Sequence, residues 1–461
     1  MASHPFFVGA SNGRWVFARP ESALLVIGPP RSGKTTSVVV PNVLAATGAV
    51  VSASTKLDVL EASREVRSRS GRCWLFDPAG TVEAPPGVTR LRWSPICGAT
   101  TWDGAKSIAH SMVRAAKPAQ GVLDSQHWSS RAAFLLAPLL YAAALDGASM
   151  DTLLTWVNRR ALAGPMAVLE QGGHPARLAV AALYDIAATE DRERSAILST
   201  ASDVLSSYLS ESALEAASQP NFDPRAFVES ADTVYLCASG RAQSLVGPTI
   251  VALVEEVRSA AYERAGADRQ RRGQPVSLIL DEVANIAPLP DLPSIVSEGA
   301  GQGLLTLVCL QDLSQARARW GREAEGFASL FGAKLVFPGI GDIPTLEALS
   351  ALCGEVDVPV RSRTVGGGWW RPGGVTRSTT SSTRRQRRMP VDAVSKGAPG
   401  KALFLQGGES PSMIELTPWH STPAWRRLAE RAREGERDLG RPTGGQRPRE
   451  ASRGRDKDYG I

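Results

Sequence analysis

The sequence predicts an α/β fold, a mostly parallel sheet with helices on both faces, into which an all-α domain is inserted. Three observations carry this reading. Continuous apolar strand signals alternate with helical ones near both ends of the chain, as in parallel sheets buried on both faces. Between residues 101 and 225 the strand signals vanish and helical periodicity takes over. Finally, Gly28-Pro29-Pro30-Arg31-Ser32-Gly33-Lys34-Thr35 fills the G-x-x-x-x-G-K-[ST] pattern between an apolar run, Ala23 to Ile27, and a helix opening at Thr36.

Taken in order, residues 1–22 read as an irregular lead-in. Strand Ala23–Ile27, the phosphate loop and a helix to about Ala46 follow. Ala49 to Ala53 is a second buried strand, Lys56 to Arg69 an amphipathic helix, and Cys73 to Phe76 a third strand. These 100 residues form the first part of a nucleotide-binding domain. The inserted all-α domain, 101–225, has candidate helices at 103–116, 129–145, 149–159, 175–189, 191–209 and 211–218, parted by turns such as Asp146-Gly147 and Gly172-Gly173. The α/β pattern resumes over 226–425. Its strands are Thr233–Leu236, Val276–Leu280, Leu304–Leu310, Lys334–Phe337 and Ala402–Leu405, with helices at about 245–265 and 342–352. Residues 361–390 read as a basic loop that begins near Gly366-Gly367-Gly368-Trp369-Trp370. The tail, 426–461, is rich in Arg, Glu, Gly and Pro and is expected to be disordered beyond a short helix.

Composition excludes several classes of function. Five cysteines lie far apart, with no C-x-x-C pair, so neither a zinc site nor a disulfide framework is indicated. The five histidines show no ligand spacing. No signal peptide is visible, and the longest strongly apolar run, Ala132 to Leu145, is too short to cross a bilayer and reads as a core helix. The net charge of +6 is unevenly spread. Residues 361–390 hold eight Arg and no acid, and the tail holds eleven Lys and Arg against seven acids, which leaves a negative body. Such a basic segment suits nucleic acid or an anionic partner; the alternative is a solvated stretch.

The chemistry centres on phosphate. Glycines let the loop Gly28–Thr35 curl until its N–H groups face one point, and the following helix adds its dipole. Lys34 would reach the β- and γ-phosphates, and the Thr35 hydroxyl would sit on Mg²⁺. Thr36 completes the run of candidate nucleotide-binding residues. Asp281 and Glu282 end an apolar strand. The first would hold the Mg²⁺ shell and the second would orient and deprotonate a water. Gln311, at the tip of the next strand, would sense the γ-phosphate. The alternatives are solvated acids at a turn and a surface amide.

These residues together resemble the type IV coupling proteins of bacterial conjugation and type IV secretion. The resemblance rests on GPPRSGKTT at 28–36, STKLDVL at 54–60, FDPAG at 76–80, WSP at 93–95 and FGAKLVFPGIGD at 331–342. The strongest block is LILDEVANIAPLPDLPSIVSEGAGQGLLTLVCLQDLSQARARWG at 278–321. It implies a RecA-like P-loop NTPase motor, a homo-hexamer on assembly, and ATP and Mg²⁺ as cofactors. It further implies single-stranded DNA with its relaxase complex as substrate and type IV secretion channel proteins as partners. Two departures stand out. Family members usually begin with two transmembrane helices, and none is seen here. The chain is therefore expected in the cytoplasm, peripheral at the inner face of the membrane, through a partner or a missing N-terminal anchor. Nor does Glu298 to Gly303 carry the basic residue that some members place before the strand ending in Gln311; Arg317, Arg319 and Arg194 are the substitutes. Two other readings remain open: an FtsK-like double-stranded DNA translocase, and a protein-substrate receptor with a switch-like nucleotide site.

Overall fold

The computed structural model describes residues 5–116, 123–238, 243–267, 273–284, 289–367 and 375–429. Trp369, Trp370 and most of the basic tail lie outside these residues. The frame is a twelve-stranded sheet. Its strands are β1 (Phe7–Ser11), β2 (Arg14–Phe17), β3 (Leu24–Ile27), β4 (Val50–Ser54), β5 (Cys73–Phe76), β6 (Val88–Arg90), β7 (Thr233–Cys237), β8 (Val276–Leu280), β9 (Leu304–Leu310), β10 (Ala333–Val336), β13 (Lys401–Gln406) and β14 (Ser412–Glu415). The spatial order is β2-β1-β14-β13-β10-β3-β9-β8-β4-β7-β5-β6. From β10 to β6 the neighbours run parallel, whereas β13, β14, β1 and β2 add an antiparallel edge.

Period-two alternation divides the sheet's side chains between two cores. Leu25, Ile27, Val51, Ala53, Leu278 and Leu280 join one cluster, while Leu24, Val26, Val50, Ile279, Leu307 and Cys309 join the other. The second face is covered by the phosphate-loop helix, a π-helical turn (Thr35–Val39) running into α1 (Val40–Ala45), and by α2 (Asp58–Arg67). The first face continues into the helices between β6 and β7. These are α3 (Pro95–Gly98), α4 (Trp102–Ala116), α5 (Leu123–Asp146), α6 (Met150–Asn158), α7 (Ala163–Gln171), α8 (Arg177–Ala188), α9 (Asp191–Val204), α10 (Glu211–Ala216) and α11 (Pro224–Val228). They share a single apolar cluster with α12 (Gln243–Ala267) and the sheet. Within α5, His127–Asp146 is long and apolar enough to cross a membrane by length and composition, but Leu135, Leu136, Leu139 and Leu140 are wholly buried inside the protein. The remaining helices are α13 (Leu292–Glu298), α14 (Leu313–Trp320), α15 (Ile343–Leu352) and α16 (Val391–Lys396).

Two expectations are corrected. The N-terminal lead-in is a hairpin, β1–β2, closed by a two-residue turn with positive φ at both Asn12 (50°) and Gly13 (73°). Its Asn-Gly pair is the sequence signal that would have found it. The basic segment 361–390 is not a loop over its described part. It belongs to a two-stranded antiparallel hairpin, β11 (Glu355–Gly367) and β12 (Val375–Arg387), in register from Glu355↔Arg387 to Gly367↔Val375. Thirteen residues per strand make an arm about 40 Å long, at about 3.4 Å per residue. Although Val356, Val358 and Val360 alternate with polar residues, residues 355–362 are all exposed, because the arm pairs with itself and, among the described residues, shares no strand with the main sheet. At its base Arg385 faces Glu355 and Asp357 at 3.5 and 3.7 Å, and Arg388 Nη1 donates to Ser410 Oγ at 3.1 Å. Ser410 lies in the β13–β14 turn, at the end of β13 that pairs with the start of β10, so the base of the arm lies at the end of the sheet away from the phosphate loop.

Candidate active site

All eight candidate loop residues lie between the end of β3 and the helix on the second face. The loop is held open by local geometry. Gly28 N donates to Leu310 O at 3.1 Å, and any Cβ at Gly28 would collide with Phe337, so only glycine fits. Arg31 and Gly33 both have positive φ, 61° and 93°. That costs a side-chain-bearing residue such as Arg31 something and glycine little. Ser32 Oγ is buried without a hydrogen-bond partner among the described residues. Lys34 Nζ folds back to donate to the Gly28 and Pro29 carbonyls at 2.5 and 3.0 Å. An unpaired hydroxyl and a lysine resting on its own loop are the features of a cradle shaped for phosphate oxygens.

Sheet order decides what faces this cradle. β9 lies beside β3, then β8, then β4, so the tips of these three parallel strands open on one side of the loop. Asp281 follows β8 directly, its N–H donating to Ala53 O at 2.9 Å, and its carboxylate accepts from Thr35 Oγ1 at 2.7 Å. Residues 246 positions apart in the chain thus meet. Burial pushes the Asp281 carboxyl up to about 6, with Glu282 adding repulsion, while the Thr35 hydroxyl and Lys34 oppose the rise. Glu282 is partly exposed and lines the same cleft, as does Gln311, whose backbone N–H donates to Gln315 Oε1 at 2.9 Å. The cleft, about 470 Å³, brings together Lys34, Thr35, Asp281, Glu282 and Gln311. Thr35 and Asp281 offer hard oxygen donors that suit Mg²⁺ held partly through water. Thr36 lies on the other side of Thr35, where the loop becomes helix.

The cleft also includes residues that the sequence reading did not assign to the site. Ser54, Thr55, Lys56 and Asp58 form its far wall, and Cys309 is buried beside Asp281. The polar run Ser54-Thr55-Lys56 after apolar β4 was a visible signal, but only strand order shows that β4 adjoins β8. The three arginines named as substitutes are elsewhere. Arg317 pairs with Asp342 at 2.9 Å, Arg194 pairs with Asp191 and donates to the Ala187 and Thr189 carbonyls, and Arg319 donates to Ala115 O at 3.0 Å. None of them lines the cleft, whose cations among the described residues are Arg31, Lys34 and Lys56.

The family profile for type IV secretory system conjugative DNA transfer matches residues 3–390. No curated protein sequence matches the chain significantly. Among solved structures, the unbound bacterial conjugative coupling protein TrwBdeltaN70 superposes with a TM-score of 0.68 at 19% identity, over 89% of this chain and 88% of its own. The plasmid coupling protein TrwB in complex with ADP and Mg²⁺ gives 0.62 at 19% identity, over 86% of each chain. Its complex with the non-hydrolysable ATP analogue ADPNP gives 0.63 at the same identity and coverage. At such identities the likeness shows the fold alone, a mostly parallel α/β sheet joined to a helical region.

Proposed function

The chain belongs to the type IV secretory system conjugative DNA transfer family, and from that premise we propose that it is an ATP-driven ring motor. It would hydrolyse Mg-ATP and use the energy to pass single-stranded DNA, with its relaxase complex, to a type IV secretion channel. The observation that carries this reading is the bond from Thr35 Oγ1 to Asp281 Oδ2, with Glu282 and Gln311 on the same cleft. ADP with Mg²⁺ and ADPNP bound to TrwB support ATP and Mg²⁺ as ligands here.

The roles follow from position. Backbone N–H groups of the loop and Lys34 neutralise phosphate charge, which is most of what phosphoryl transfer requires of a protein. Bound Mg²⁺ would supply further charge neutralisation, held by Thr35 and Asp281. Glu282 orients a water and takes its proton. Gln311 reports the terminal phosphate to α14, the helix that follows it. A neighbouring subunit in a hexamer supplies the missing arginine. The protein works in the cytoplasm at the inner face of the membrane, held there by a partner or by an N-terminal anchor.

The test is steady-state ATP turnover with Mg²⁺, with and without single-stranded DNA. Glu282→Gln should keep nucleotide binding and lose at least about a hundredfold in turnover, as for a lost general base. Lys34→Ala should weaken binding or turnover. Wild-type turnover in purified Glu282→Gln would remove the catalytic assignment.

A further inference from the structure

Sheet order sets the direction in which a bound nucleotide lies. Viewed from β3, the tips of β9, β8 and β4 carry Gln311, Asp281, Glu282 and Lys56 on one side. The terminal phosphate and its metal belong there. A triphosphate threaded through the loop therefore delivers its nucleoside to the other side, that of β10, β13 and β14.

On that side the chain beyond β14 crosses the phosphate-loop helix. Leu416 N donates to Gly400 O at 2.8 Å, and Trp419 N donates to Thr36 O at 3.0 Å. The second bond has its cause in the sequence. In the π-helical turn Val40 N donates to Thr35 O, five residues back. The next carbonyl in that register, Thr36 O, would need the N–H of residue 41, which is proline and has none. Trp419 fills the gap. Ser421 N and Thr422 N both donate to Pro418 O, closing a turn, and beyond it Trp425 meets Phe7 and Trp15 edge-on at 5.2 and 5.3 Å. The segment is thus tied down on both sides of Trp419. Trp419 is partly buried against the cluster that includes the phosphate-loop helix. His420 is exposed, its ring edge-on to that of Trp419 at 6.1 Å.

We propose that residues 416–422 form the nucleoside side of the nucleotide site, where Trp419 positions the segment and His420 offers the purine base a face to stack on. This rests on the nucleotide site of the proposed function and adds the class of base it accepts. The segment Leu416-Thr417-Pro418-Trp419-His420-Ser421-Thr422 carries no carboxylate or carboxamide to read a purine's edge, its Ser421 and Thr422 hydroxyls donate to Pro418 O, and the Thr417 hydroxyl is buried. Stacking uses the π-face that every base has. Adenine and guanine are therefore held alike.

Calorimetric titration of the full chain with ATP, GTP and inorganic tripolyphosphate, each with Mg²⁺, tests this. Wild type should bind ATP and GTP within about threefold of each other, and both about tenfold or more tighter than tripolyphosphate, the worth of one stacked base. His420→Ala, at an exposed position, should lose that advantage for both nucleotides and leave tripolyphosphate binding unchanged. Lys34→Ala should weaken all three. Equal binding of ATP and tripolyphosphate by wild type would overturn the proposal, as would an unchanged ATP advantage in His420→Ala. If wild type bound none of the three, the phosphate-loop reading itself would fall, and this inference with it.

Discussion

Asp281 and Glu282 are neighbours in the chain with different surroundings. Asp281 is buried at the tip of β8, and loss of water raises its carboxyl to about 6, while Glu282 reaches partly into the cleft. A metal ligand must be ionised to bind. The raised value means that Asp281 takes up its proton at a higher pH than an ordinary aspartate. Affinity for Mg-nucleotide should therefore be level above about pH 7 and fall below about pH 6, approaching tenfold per pH unit. Titrations at fixed Mg²⁺ across this range would show it, and Asp281→Asn should bind weakly at every pH with the slope gone. A fall that began only below pH 4 would show Asp281 to be an ordinary, hydrated carboxylate. The identity of this residue was legible in the sequence, because an apolar strand ending in Asp-Glu is a recognisable pattern. Its bond to Thr35 was not, since that depends on β8 lying two strands from β3.

Single elements hold the site in place, and two of them invite measurement. The last turn of α2 carries Arg67, which is buried and donates to Thr233 Oγ1 at 2.7 Å, to Gly48 O and Ala231 O at 2.8 Å, and to Ala46 O. Burial lowers its pKa, and five guanidinium donors serve as the glue between the ends of α1, β4 and β7. Arg67→Met should cost about 3–5 kcal/mol in chemical denaturation, because several buried acceptors lose their donor at once. Arg67→Lys should rescue little, since one ammonium cannot span the same four acceptors; a full rescue would show that charge alone is needed. The β11–β12 arm concerns DNA. Arg385 is engaged with Glu355 and Asp357 and Arg388 with Ser410, so among the described side chains of the arm Arg361, Arg384 and Arg387 are the exposed arginines left for phosphate. Changing these three to Gln should flatten the slope of log K against log salt for single-stranded DNA by about 2, at ~0.7 per lost contact. An unchanged slope would take the arm off the DNA path.

Across the whole molecule, the cleft lies at the carboxyl tips of the parallel strands and the base of the arm at the opposite end of the strands. In the proposed motor the place of hydrolysis is thereby separate from one candidate place of contact with the cargo. Among the described residues no arginine but Arg31, itself part of the loop, lines the cleft, and each of the three substitutes is engaged elsewhere in its own chain. Turnover per subunit should accordingly rise steeply with protein concentration or with added DNA as neighbours complete each other's sites. A rate per subunit that stays flat, with light scattering reporting a monomer throughout, would count against a ring.

What the sequence determined by itself is local and periodic. The phosphate loop announced itself because its spacing, glycines and flanking strand and helix are all contiguous. The buried strands β3, β4, β8 and β9 were equally visible, since burial on both faces demands unbroken apolar runs. The polar or short elements escaped: β1–β2, whose β2 is an exposed edge, and the arm, which pairs with nothing but itself. Only the tertiary structure decided the strand order β3-β9-β8-β4, and with it the far wall of Ser54, Thr55 and Lys56. It alone shows that Pro41 leaves the Thr36 carbonyl to a residue nearly four hundred positions away. Hydrogen-bond partners between distant segments depend on how elements stack, and a chain's local propensities carry no record of that.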